Sequence, residues 1–400
     1  MSTQRISTDN LKKIALSGVI AITSFNGIAA PDIQDFDILK ARETVHVQDT
    51  FQYEHSKENL SHLKHLNTGK QIPLTEVFKN EVAGVYEHPS KKGEILVLSF
   101  QDKEDLNQEH KETIKTLIEH DHYDMNSYVH HKNKEKNAIQ NEEGSFHSPS
   151  FLQKGELDYN FISFSSSQVN EIIEDINNKG FSKKTADLML EAIFYHELAH
   201  SHNHQSENVY EQINKLEQKG KSEDFIAKQK SLLSLGEENY ADSFLLLKLA
   251  KLQKENGNNN SQNEFKEFAE YFYEHFRNDN SHQEHFDDHL TKYSVKVAID
   301  FIEDNWEVID QLSNIQLEQI AASITNGTLN HPSLNKHINS FEGQLNLSQN
   351  GGIQEDILQK ISNNVNEKIN DMIETRFDNN GNKEISFNYK PYAHKQQNRI

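Results

Sequence analysis

Ala192-Ile-Phe-Tyr-His196-Glu197-Leu198-Ala199-His200 contains the pattern His-Glu-x-x-His. On the approach to it, Ala186, Met189, Leu190 and Ile193 repeat at the three-to-four spacing of a helix with a buried face, and Ser182 stands where an N-cap belongs. One helix is therefore expected from Ser182 through His200. Two histidines four residues apart project from one face of such a helix, about a turn apart. Their imidazole nitrogens can converge on one Zn²⁺ at about 2.0–2.1 Å. The glutamate between them points beside the ion. There it can take a proton from a metal-activated water and pass it to a leaving amine.

The chain holds 22 histidines in 400 residues. Chance alone then supplies about 0.1 such patterns, so the surroundings must carry the reading. A third ligand has to come from elsewhere. A metzincin would place a histidine six residues after His200 and a glycine three after it; Ser206 and Asn203 stand there instead. Downstream, Gly236-Glu237-Glu238-Asn239-Tyr240-Ala241-Asp242 leads into the apolar run Ser243–Ala250. On a helix Glu238 and Asp242 share a face. Glu238 can complete a His₂Glu site, while Asp242 can accept the other N–H of a ligating imidazole and fix its tautomer. Glu237 is the alternative ligand, about 100° around the helix from Glu238.

His-Glu-Leu-Ala-His followed by Glu-x-x-Ala-Asp resembles the gluzincin metallopeptidases, in particular the group of the CAAX prenyl proteases and the HtpX-like heat-shock proteases. The resemblance covers roughly residues 182–250. It implies His196, His200 and Glu238 as ligands of one catalytic Zn²⁺, Glu197 as catalytic base, and Asp242 as partner of a ligating ring. Thr328–Ile338, with His331-Pro332, is similar to a later segment of that group, although Lys336 and His337 stand where arginine is usual. A peptidase also needs a donor for the developing oxyanion. His289, His331 and Tyr240 are the candidates, each with an ordinary polar or packing role as its alternative. His202 and His204 suit either a second metal or a solvated helix end. The strand expected at Tyr159–Phe164 suits either a sheet edge for an extended peptide or a plain core strand.

A formal net charge of −21 disfavours nucleic acid as a partner. The absence of cysteine excludes thiolate zinc sites, disulfides and cysteine nucleophiles. Lys12 and Lys13 followed by the mildly apolar Ile14–Ala30 have the layout of a secretory leader, with export to a periplasm or medium as its consequence. A buried N-terminal helix in a cytoplasmic protein is the alternative. No other stretch approaches membrane-spanning length.

The fold expected is α+β and predominantly helical, a zincin-like core with a small β-sheet beside the active-site helix. Its divisions are a leader at 1–30, an N-terminal α+β region at 31–150, a catalytic domain at 151–345 and a helical extension and tail at 346–400. Strands are expected at Glu43–Tyr53 and in a hairpin over Val82–Phe100, and a surface helix and loop over 103–148. Further helices are expected at 206–233, 236–254, 262–278, 292–325 and 353–375. The activity expected is hydrolysis of a peptide bond within a protein or peptide substrate. A catalytically inactive zincin-fold interaction protein and a histidine-rich metal-binding protein are the rival readings.

Overall fold

The computed structural model describes residues 62–66, 68–80, 82, 84–89, 95–100, 146–148, 159–164, 166–202, 217–220, 222–256, 259–277, 291–338, 355–377 and 383–387. The leader at 14–30, the strand expected at 43–53 and the helix expected after residue 103 lie outside these. The described chain is predominantly helical, with small sheets. It forms two compact units, one ending at Ser201 and the other beginning at His202.

In the first unit, strands β1 (His62–Lys64) and β2 (Gln71–Pro73) form an antiparallel ribbon. Helix α1 (Leu74–Lys79) follows. The expected hairpin is present as β3 (Gly84–Glu87) paired antiparallel with β4 (Ile95–Phe100). With β5 (Phe146–Ser148) and β6 (Tyr159–Phe164) they make a four-stranded sheet in the order β3-β4-β6-β5. β4 and β6 run parallel, Leu96 opposite Asn160 and Leu98 opposite Ile162. Leu96, Leu98, Ile162 and Phe164 are buried, the period-two burial of strands with one face on a core. β6 lies between β4 and β5 and so is not the sheet edge; its Phe161–Ser163 stretch is already paired with β5.

Helix α2 (Ser166–Asn178) leads to α3 (Lys183–His202), which carries the histidines. Ser182 caps α3, its Oγ accepting the Thr185 N–H at 3.2 Å. From Thr185 to Ala199 every position of α3 is buried except Asp187 and His196. The burial is therefore wider than the single face that the apolar spacing suggested, as for a helix surrounded by packing. Phe78 of α1 joins the layers, edge-on to Phe164 of β6 at 4.8 Å and to Phe194 of α3 at 6.5 Å.

The second unit is built around α4 (Glu223–Glu255). Two helices parted near Gly236 were expected; one continuous helix runs through that position. Gly236 is buried, and Asn239 through Gln253 are buried without interruption. Packing on all sides outweighs the roughly 1 kcal/mol that a helical glycine costs. Helix α5 (Ser261–Tyr271) passes directly into a π-helical turn at Phe272–Phe276. The single helix expected over 292–325 is two, α6 (Lys292–Asn305) and α7 (Asn314–Leu329), joined by a 3₁₀ turn at Trp306–Gln311. A capping box of Ser313 and Gln316 starts α7 afresh. Lys254 reaches Glu307, Lys251 the carbonyl of Asp310 and Lys248 the side chain of Asn314, so this segment runs antiparallel to α4.

α8 (Pro332–Ile338) and α9 (Glu355–Asn370) follow. The last part of the helix expected to reach 375 is instead strand β7 (Ile373–Phe377), paired with β8 (Lys383–Phe387). The Asn380-Gly381 step in the connecting sequence is a hairpin signal.

Phe78 is 5% exposed and touches both the sheet and α3. Phe78→Ala should cost about 3–5 kcal/mol in urea unfolding. Lys79→Ala, which breaks only the exposed pair with Asp187, should cost less than about 1 kcal/mol. Equal costs would contradict this account of the packing.

Candidate metal centre

α3 brings His196 and His200 together. Their Nε2 atoms lie 3.2 Å apart, with the rings nearly perpendicular at 83° and their centroids 4.9 Å apart. Two ligands of a tetrahedral zinc with bonds of about 2.0–2.1 Å stand about 3.3 Å from each other. The separation therefore suits a shared ion as well as it suits a direct N–H···N hydrogen bond. Both rings are half-buried, whereas Glu197 between them is 8% exposed.

In the second unit, α4 carries Glu238 and Asp242 four residues apart and therefore on one face. Glu238 and Glu237 are half-buried, and Asp242 is fully buried. The Asp242 Oδ1 accepts a hydrogen bond from Nη2 of Arg277 at 2.7 Å. Nothing in the sequence pointed to Arg277, because it lies 35 residues away along the chain. Its guanidinium lies over the ring of Phe276, 4.8 Å from the centroid, and over that of Phe272 at 5.4 Å. Tyr240 is buried and stacks on Phe244, which gives it the packing role.

His331 lies in the turn between α7 and α8. Its Nδ1 accepts the backbone N–H of Ser333 at 3.3 Å, so in the neutral ring Nε2 carries the proton. Burial lowers its pKa, and the positive charge of Lys368 lowers it further. His331 is thus built as a neutral N–H donor. His204 and His289 lie outside the described residues, as does the side chain of His202.

No protein-family model, curated protein or solved structure matches the chain. The resemblance to gluzincins rests on the residues themselves.

α3 also carries a buried acid away from the histidines. Glu191 is 9% exposed, about 140° around the helix from His196. Burial pushes its carboxyl up from 4.5 to about 7, with Lys184 opposing the rise and Asp187 adding to it. Below about pH 4.5 the group is protonated whether the chain is folded or not, and its contribution to stability is fully present. As the pH rises to 7 the unfolded chain releases the proton while the folded chain keeps it, so stability falls across that window. The loss is about 3 kcal/mol. Glu191→Gln, unfolded by urea in the presence of chelator at pH 4.5 and at pH 8, should lack this fall. An unchanged pH dependence would show that Glu191 is charged in the folded protein.

Proposed function

We propose that the chain is a zinc-dependent endopeptidase of zincin-like build, with His196, His200 and Glu238 as ligands of one Zn²⁺ and Glu197 as general base. The observation that carries the reading lies on α3, where the Nε2 atoms of His196 and His200 stand 3.2 Å apart with the buried Glu197 following His196; Glu238 enters as third ligand from the Glu-x-x-Ala-Asp pattern on α4. Two imidazole nitrogens and a carboxylate oxygen are a donor set that zinc prefers.

A zinc ion bound there supplies Lewis acidity, polarising a peptide carbonyl and making water acidic enough to attack near neutral pH. The protein's own groups do the remainder. Glu197 takes the proton from the attacking water on its carboxylate and returns it to the amine nitrogen as the peptide bond breaks. Asp242 accepts the N–H of a ligating ring and so keeps the other nitrogen turned to the ion. His331, with its proton fixed on Nε2, is the better supported oxyanion donor, and His289 is the other candidate. A protein or peptide is the substrate class. No described helix is long and apolar enough to cross a membrane, and the charge of −21 argues against a nucleic-acid substrate.

Metal analysis of purified wild type beside Glu238→Ala tests the ligand set. Stoichiometric zinc in the wild type, lost in the variant, is expected; wild-type affinity in the variant would overturn the assignment. Glu197→Gln should keep its zinc and lose about 10²–10⁴-fold in turnover of an unfolded protein substrate. Undiminished turnover would remove Glu197 from the mechanism. A wild type that binds zinc but cuts nothing would favour the inactive interaction protein.

A further inference from the structure

We infer that Arg277 is a positioning residue for the metal centre, acting through Asp242. This rests on the zinc reading above. α4 presents Glu238 and Asp242 one turn apart, and two carboxylates so placed repel each other. Asp242 is fully buried, where a carboxylate requires a charged or hydrogen-bonded partner. Arg277 supplies both in one contact, at 2.7 Å. Its side chain is 13% exposed, and the faces of Phe272 and Phe276 hold the guanidinium in place.

The backbone shows how Arg277 comes to that position. Its N–H donates to the carbonyl of Phe272 at 2.9 Å, a bond spanning five residues rather than four. The π-helical turn therefore absorbs one extra residue. In an uninterrupted α-helix Arg277 would point about 100° further around the axis. Side chains on the turn itself grip the guanidinium, so the irregular turn and the aromatic clamp form one device aimed at Asp242.

In the proposed centre Arg277 holds Oδ1 of Asp242 and so steadies the carboxylate that would accept a ligating ring's N–H. The guanidinium anchors Oδ1 of the carboxylate and offsets its repulsion of Glu238. Lysine at 277 would keep the charge but not the planar fork or its stacking on two rings.

Zinc affinity of the full chain, measured by competition with a chromophoric chelator, tests the role without recourse to turnover. Arg277→Met should weaken zinc binding by about 10–100-fold, with Arg277→Lys intermediate. If the effect runs through Asp242, then in an Asp242→Asn background Arg277→Met should change the affinity by no more than about twofold. Unchanged zinc affinity in Arg277→Met would overturn the inference, as would an equal loss in both backgrounds. Should Arg277→Met fail to fold in a thermal melt of the metal-free chain, Arg277→Lys decides: wild-type affinity there overturns the inference. A wild type without stoichiometric zinc would instead overturn the proposed function.

Discussion

Two imidazole nitrogens held 3.2 Å apart are the constraint on which the site depends. Side chains at i and i+4 on a free helix would move apart by rotation about their own bonds. On α3 the backbone beneath them is fixed by the Ser182 cap, by burial at nearly every position from Thr185 to Ala199, and by Phe194 against Phe78. The fold of the first unit thus serves to hold one helix still. His196 and His200 are half-buried on that helix, and they are the positions at which we propose that it meets an ion.

The second unit meets a different demand, since it must hold acidic groups in a dry interior. For Asp242 that demand is met by a charge from outside the helix. Arg277 comes from the π turn to Asp242, and Lys248 and Lys251 leave α4 for Asn314 and the carbonyl of Asp310. The lysine contacts tie the C-terminal half of α4 to the next helix pair. Such tethers fix where α4 stands along the unit, and the ligand role proposed for Glu238 would tolerate little error in that position.

The parts of this architecture that were legible in the sequence are local ones. The cap at Ser182, the i, i+4 histidines, the β3–β4 hairpin and the pairing of Glu238 with Asp242 on one helical face all follow from short-range spacing. The misses have physical causes. Gly236 suggested a helix break because propensity is local, whereas the packing that overrides it is not. The restart at Ser313 and the strand at Ile373 were written in turn and cap residues inside longer apolar patterns, and the period of those patterns masked them. Arg277 was invisible for a stronger reason. Its reach to Asp242 depends on a π turn, which has no sequence signature of its own, and on a contact between distant parts of the chain.

The central claim is that one divalent ion joins both imidazoles and Glu238. Zinc-edge X-ray absorption on the zinc-loaded protein measures that shell directly. The account predicts two imidazole nitrogens with one or two oxygens at about 2.0–2.2 Å. A shell of oxygens alone, or one holding a single imidazole, would contradict it.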